Sequence, residues 1–427
     1  MKMLYNKTKQ LSTVLVAAVL ALGVSTAQAV IDGITGTTFN LTASADRIST
    51  ADGNSVYFWG LGETGGRAQY PAPTLIVNQG DTITINLTND LLVETSIIFP
   101  GQEGVNTTAG APPSGGTQTY IFTASHAGTY VYNSGTNMDL QIEMGLLGVI
   151  IVRPPQVGQA YNHADTAYDR EFLYLQTEMD LDIHEAVEKG QAIDPVHMTN
   201  PRYEYWLLNG RTAVDTLFPS GDDAPWLPTQ PYNSLPLMHP GEKLLLRVVS
   251  AGRDGHPLHT HGNNATVIAK DGRMLSDGST AGTDKAYSDN TFFVMAGSTW
   301  DMIFTWTGKG MGWDIYNHGA AYNNTNQCLN NEPLLPHEDP DSHCKPFPVQ
   351  LPGNQDLTLG GFWSGSAFLG QNGLLPPGEG GLNPFDGYFF PWHSHHEKEL
   401  TNFDIYPGGL LTFFAVVPLD FPLPLPY

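Results

Sequence analysis

The stretch HPLHTHG, residues 256–262, holds the side chains whose types and spacing best suit chemistry. It places three imidazoles, His256, His259 and His261, within six residues. Neutral imidazole is the commonest metal ligand in proteins, so this spacing predicts a metal site. His256 precedes Pro257, and for this histidine a structural place in a turn is an equal alternative.

A second stretch, HSHHE at residues 393–397, repeats the His-x-His spacing with His393 and His395. Side chains two residues apart on a β-strand share one face, so each His-x-His pair would present two imidazoles to one ligand. Glu397 would share the face of His395 as a ligand or as the partner of one, whereas His396 would point away. Inherited packing of the histidines without a metal, and a solvated surface for Glu397 and His396, are the alternatives.

The elements that must position these histidines are predicted to be β-strands. In DTITINLTN, the apolar residues Ile83, Ile85 and Leu87 alternate with polar ones, and TWDMIFTW at 299–306 shows the same period of two. Gly and Pro interrupt such runs at short intervals, as they do in the turns of sandwiches. A helix is predicted only for DIHEAVEKGQA, from Asp182. These patterns predict an all-β fold made of sandwiches.

The chain divides into four blocks. Residues 30–155 and 160–325 are interpreted as two domains, and the second contains HPLHTHG. Residues 326–385 are rich in Asn, Pro and Gly and predict an irregular, loop-rich segment. Residues 386–427 contain HSHHE and the apolar run GGLLTFFAVV, which is typical of part of a sandwich. Periodicity leaves open whether this last block pairs with the second domain or completes a third.

Residues 1–29 have the organisation of a secretory signal peptide. Lys2, Lys7 and Lys9 precede the apolar run TVLVAAVLALGV, and AQA at residues 27–29 is a small-residue cleavage site. The apolar run is too short to span a membrane, and no later segment is apolar enough to do so. We therefore expect an exported protein, periplasmic or extracellular, without a membrane span.

The formal charge of −23 excludes one class of partner. Nucleic acid binding needs a basic face, whereas this chain has 42 acidic and 19 basic residues. The acidic residues would attract cations and basic partners, or simply keep an exported protein soluble.

The two cysteines, Cys328 and Cys344, lie in one polar, Pro-rich region. In an oxidising compartment this arrangement predicts a disulfide, which would stabilise the fold by about 3 kcal/mol through loop closure. Metal ligation by Cys344 beside His343 is the alternative, and no second histidine follows to support it.

Several motifs, in a fixed order, resemble those of the multicopper oxidases. They are PAPTLIVNQGDTITINLTN, TSIIFPGQ and GLLGVIIV in the first block, LLLRVVSAG and DGHPLHTHG in the second, and HSHHE in the last. The resemblance covers most of the chain after the signal peptide. It implies tandem cupredoxin-like Greek-key β-sandwiches, with copper as the cofactor.

The same resemblance implies that part of the copper machinery is missing. The family holds a three-copper cluster with four His-x-His pairs, two of them from the first domain. At the matched positions this chain has Ile98 and Pro100 in place of one pair, and Asn133 and Gly135 in place of the other. None of these residues is a histidine, so the first-domain half of the cluster is expected to be lost.

The type 1 copper position is also altered. In the family this copper takes electrons from the substrate and is bound by a Cys thiolate. Ser394 stands at the matched position, and a neutral hydroxyl is a much poorer copper ligand. His256 matches a type 1 histidine that has lost this thiolate partner.

The surviving matches are His259, His261, His393 and His395, with His256 as a fifth candidate ligand. They predict a site for one or two copper ions in a multicopper-oxidase-like protein without four-copper turnover of its own. Residual oxidoreductase chemistry stays open, as does a redox partner or a homo-oligomer whose subunits supply the missing ligands. The alternative is a metal-free structural or interaction module that reuses the cupredoxin fold.

Overall fold

The computed structural model describes residues 31–221, 224–306, 364–365, 373–374, 382–383, 388–405, 408–417 and 421–423. The predicted signal peptide and the predicted disulfide between Cys328 and Cys344 lie outside these ranges. Most of the predicted loop-rich segment, 326–385, lies outside them as well.

The first sandwich contains eight strands. They are β1 (Ile34–Thr35), β2 (Thr38–Ser49), β3 (Ser55–Glu63), β4 (Leu75–Asn78), β5 (Thr82–Asn89), β6 (Gly116–Thr123), β7 (Gly128–Asn133) and β8 (Leu147–Arg153). Two four-stranded sheets, with the orders β1-β4-β8-β7 and β3-β2-β5-β6, pack against each other. The predicted alternation is confirmed in β5, where Ile83, Ile85 and Leu87 are buried.

The second sandwich combines strands from the middle of the chain with strands near its end. The strands after β8 are β9 (Arg170–Met179), β10 (Tyr205–Leu208), β11 (Leu237–Met238), β12 (Lys243–Ser250), β13 (His256–Thr260), β14 (Ala265–Lys270), β15 (Arg273–Met274), β16 (Tyr287–Asp289), β17 (Thr291–Val294), β18 (Thr299–Thr305), β19 (Ser364–Gly365), β20 (Gly373–Leu374), β21 (Leu382–Asn383), β22 (Tyr388–Ser394) and β23 (Leu411–Val416). One sheet has the order β10-β9-β12-β18-β14-β15, with β16 beside β14. The other has the order β11-β23-β22-β13-β17, with β19 beside β22, while β20 and β21 pair separately.

The position of β22 shows where the last block of the chain, which contains HSHHE, belongs in the fold. This strand lies between β13 and β23 and pairs antiparallel with both. Its apolar face enters the core of the second sandwich, where Trp392 is fully buried and its ring stacks 4.7 Å from that of Phe414. The block that contains HSHHE therefore completes the second sandwich.

An apolar cluster and a buried hydrogen bond beside it join the two sandwiches. Apolar side chains of β7 and β8, including Val131 and Val149, pack with Leu173 of β9. Beside them the buried Arg247 of β12 donates a 2.9 Å hydrogen bond to Thr129 of β7. The two sandwiches thus share a core rather than meeting only at their surfaces.

Among the residues that the structure describes, helices are few and short. They are α1 (Met138–Glu143), α2 (Leu181–Glu188), α3 (Pro195–Thr199) and α4 (Glu397–Leu400), with 3₁₀ turns at Ala164–Thr166 and Asp215–Leu217. The predicted helix is present as α2 and begins one residue earlier, because the Asp180 carboxylate caps it by accepting from the backbone N–H of Asp182 and Ile183. Within the described ranges, none of the helices is long and apolar enough to cross a membrane.

Candidate metal site

Main-chain pairing of β13 with β22 brings the two histidine stretches together. The strands run antiparallel, and His259 lies directly opposite His393. Along β13 the residues alternate between buried and half-buried, so His259 faces away from the sandwich core while His256 faces into it. The backbone N–H of His395 donates to the carbonyl of Pro257 at 2.7 Å, which extends the pairing past the end of β22.

Four imidazoles gather on the outer face of this sheet. The ring centroids of His259 lie 4.8 Å from His261, 5.4 Å from His393 and 4.7 Å from His395. The Nε2 atoms of His261 and His393 lie 3.2 Å apart. Two nitrogens bound at about 2.0 Å to one tetrahedral ion lie about 3.3 Å apart, so this pair has the separation of two ligands on one ion.

Hydrogen bonds on the far side of the His393 and His259 rings fix which nitrogen carries the proton. The Nδ1 atom of His393 donates to the carbonyl oxygen of Ser394 at 2.7 Å. The Nδ1 atom of His259 lies 2.7 Å from the hydroxyl oxygen of Thr291, and that hydroxyl donates to Asn290. Because the Thr291 proton is used on Asn290, His259 is the donor to Thr291. The lone pair is left on Nε2 in both rings, which is the arrangement found around metal-ligating histidines.

The surroundings of these rings keep them neutral. Burial, together with the charges of His259, His393 and His395, lowers the pKa of His261 to about 4. Burial and the other histidines also lower the pKa values of His259 and His393. Only a neutral imidazole has a lone pair for a metal, so the site is held in its binding form at neutral pH.

The structure does not bring His256 into this group. Its ring is fully buried on the opposite face of β13, and its Nε2 lies 2.9 Å from Glu178 and its Nδ1 3.1 Å from Glu399. Both ring nitrogens therefore donate, as they can only in the imidazolium form. Burial alone would lower the pKa of His256, but the hydrogen bonds to the two carboxylates outweigh it and raise the pKa to about 10.

Glu178 and Glu399 are functional candidates that the sequence analysis did not identify. Glu178 lies near the end of β9, and every residue of this strand is buried. A charged residue in a fully buried strand needs a partner, and this need could have marked Glu178 as a candidate. Glu399 lies on α4, beyond the end of β22, so strand alternation carries no information about it. For the same reason Glu397, the first residue of α4, does not continue the extended run from His395 that we expected.

A second cluster of ligand-type side chains has a structural explanation. In the described part of the chain, Asp180, Asp182 and His197 form the one group of three whose ligand atoms all lie within 4.8 Å of one another. The carboxylate of Asp180 already accepts from the backbone of α2, from the N–H of Arg202 and from His197. The four imidazoles are less tightly gathered than this, and within the group His261 and His393 are the pair whose separation suits one ion.

The first-domain positions matched to copper ligands form a closed contact. Ile98 and Asn133 pair through an isolated bridge. A Cβ atom placed on Gly135 would lie 2.5 Å from Cγ2 of Ile98 and 3.0 Å from the hydroxyl oxygen of Ser96. Side chains of this chain therefore fill the space that an imidazole at position 135 would need.

The comparisons with known proteins agree with this architecture. Residues 61–157 match the family model described as multicopper oxidase. The L-ascorbate oxidase of Cucurbita pepo var. melopepo is 32% identical over 160 residues, which is 34% of this chain and 27% of that protein. The iron transport multicopper oxidase fetC of Epichloe festucae is 40% identical over 98 residues, 21% of this chain and 15% of that protein. The matches thus span well under a third of each relative.

Solved structures show the same fold. The blue copper oxidase from Nitrosomonas europaea has a TM-score of 0.55 at 19% identity, over 88% of this chain and 85% of that one. The multicopper oxidase mgLAC has a TM-score of 0.55 at 18% identity, over 90% of this chain and 87% of that one. Residues 61–157 are thus similar to a multicopper oxidase domain, and the chain has the cupredoxin-like β-sandwich fold of these solved structures.

Proposed function

We propose that this chain is an exported copper-binding protein of the multicopper oxidase type that holds copper through His259, His261, His393 and His395. The observation that carries the proposal is the 3.2 Å separation of the Nε2 atoms of His261 and His393. Main-chain pairing of β13 and β22 maintains this separation, so the pair does not depend on a bound ion for its position.

The donor set suits copper. Imidazole is a borderline ligand that binds copper, zinc, iron and nickel, and among the divalent ions the affinity order favours Cu²⁺. Burial and the neighbouring histidines lower the pKa values of His259, His261 and His393, which favours the neutral form that binds metal. Whether the site takes one ion or two depends on how far His259 and His395 turn towards the first pair.

The proposed function is narrower than that of a four-copper oxidase. Ile98 fills the space at Gly135, which supports the loss of the first-domain half of the three-copper cluster. Ser394 supplies no thiolate for a type 1 copper. Bound copper would supply one-electron redox chemistry, and this chain's own residues would orient the imidazoles through Thr291 and the Ser394 carbonyl.

Metal analysis of the protein, loaded with Cu²⁺ and dialysed, tests the proposal. We expect one or two equivalents of copper in the wild type and none in a His261→Ala/His393→Ala variant. His126→Ala is the matched control, because His126 is an exposed histidine of the first sandwich and its loss should leave the copper count unchanged. Equal copper in the wild type and the double variant would refute the site, and no copper in either protein would favour the metal-free module.

A further inference from the structure

The type 1 position differs from the expected copper site in more than the missing thiolate. The resemblance places the type 1 ligands at His256 and Ser394, and both side chains are fully buried in the second sandwich. They lie on neighbouring strands, because Leu258 of β13 pairs directly with Ser394 of β22. The two side chains thus still converge on one point of the core, as a shared ligand would require.

A carboxylate oxygen occupies that point. The Oε2 atom of Glu399 accepts from the Ser394 hydroxyl at 2.7 Å and from Nδ1 of His256 at 3.1 Å. Glu399 is itself buried, on the short helix α4 that follows HSHHE. The atom between the two side chains is therefore an oxygen of this chain.

The other side of His256 keeps the arrangement of a metal-ligating histidine. Its Nε2 donates to Glu178 at 2.9 Å, and the same carboxylate accepts from the backbone N–H groups of Arg253 and Asp254. Metal-bound histidines commonly donate their second ring nitrogen to a carboxylate in this way. Glu178 would serve that role for a copper on Nδ1, and in this chain Glu399 takes the place of the ion.

We infer that the Glu399 carboxylate has replaced the type 1 copper from within the chain, so that this position binds no copper even when the outer imidazoles are loaded. The imidazolium of His256 lies between two carboxylates, which makes the cluster a buried ion pair with its hydrogen bonds satisfied. A copper ion here would have to displace both the Nδ1 proton and the Glu399 carboxylate, and the Ser394 hydroxyl would compensate for little of that loss. Copper in the outer site would then exchange electrons without a thiolate copper beside it.

The test uses a His261→Ala/His393→Ala background, in which the outer site is disabled and any copper bound must be elsewhere. In this background we expect no bound copper. Adding Ser394→Cys and Glu399→His should give one copper with the visible absorption band of copper bound to thiolate, because a thiolate and two imidazoles then face the vacated point. Adding Ser394→Cys alone should give less than about a tenth of that band, since Glu399 still occupies the position.

Each arm can overturn the inference. Glu399 would be shown not to block the position by a full band with Ser394→Cys alone, or by one equivalent of copper in the background variant that is lost when His256 is also replaced by Ala. A folded variant with both added substitutions that takes up no copper would show that the point is not a type 1 position. Should that variant fail to fold by circular dichroism, the other two arms still decide. None of these outcomes depends on whether the outer histidines bind copper.

Discussion

His259 and His393 lie directly opposite each other on neighbouring antiparallel strands, so backbone hydrogen bonds fix the distance between the two histidine stretches. Side chains alone could not do this, because an imidazole has two rotatable bonds and adapts to many positions.

Removing the hydroxyl of Thr291 should weaken metal binding without abolishing it. In Thr291→Val the Nδ1 atom of His259 loses its acceptor, so the ring is free to rotate and to change tautomer. Loss of such a partner typically lowers metal affinity about 10- to 100-fold. Competition titration with a chelator measures the change. Thr266→Val, on β14 of the other sheet, is the control and should have no effect. An unchanged affinity in Thr291→Val would mean that His259 is not a ligand.

Acid should destabilise the metal-free protein through the outer imidazoles. Burial lowers the pKa of His261 from its ordinary value of 6.5 to about 4, so the unfolded chain binds the proton more tightly. Stability is therefore lost as the pH falls from about 6.5 to about 4. Urea unfolding at pH 7 and pH 5 should show a smaller loss for His261→Gln than for the wild type. A larger loss in the variant would contradict the direction of this pKa shift.

Neutralising one carboxylate of the buried ion pair should be costly for folding. In Glu399→Gln the imidazolium of His256 keeps only Glu178, and breaking a buried pair in this way typically destabilises by about 3–5 kcal/mol. Denaturant unfolding measures the difference. Glu185→Gln is the matched control, because Glu185 pairs with Lys189 on the exposed surface of α2 and should contribute less than about 1 kcal/mol. Similar effects of the two substitutions would indicate that the buried cluster is not ionised as described.

Substitutions at Gly135 and Ile98 should have coupled effects on the free energy of unfolding, because the two residues compete for the same space. Gly135→Ala places a methyl group 2.5 Å from Cγ2 of Ile98 and should destabilise by about 1–3 kcal/mol. Shortening Ile98 to Ala should relieve that clash, so the double variant should be less destabilised than the sum of the single variants. A double-mutant cycle on unfolding free energies measures the coupling. Strict additivity would show that the two residues do not compete for the same space.

The fold class and the pairing of His259 with His261 on one face could be predicted from the sequence. The period of two in β5 predicts the buried face, and the spacing i, i+2 of His259 and His261 predicts that they share a face. The meeting of these histidines with His393 follows from the family resemblance, not from periodicity, because alternation assigns a face and never a partner strand.

The buried ion pair could not be predicted for a related physical reason. His256 meets Glu178 and Glu399, which are 78 and 143 positions away in sequence. A buried charge is tolerated only when its partners are present, and those partners are supplied by tertiary structure. The spacing in HPLHTHG does not distinguish His256 from His259 and His261. In the structure, His256 lies on the opposite face of β13 from His259.

The central place of β22 in its sheet has a consequence for the order of events during synthesis. Because 132 residues separate His261 from His393, the ribosome delivers the second half of the candidate site only after nearly all of the second sandwich has emerged. The same strand carries Trp392 into the core, so the imidazole pair forms only when β22 joins its sheet. Under the proposed function, we therefore expect copper to be acquired after β22 has joined its sheet.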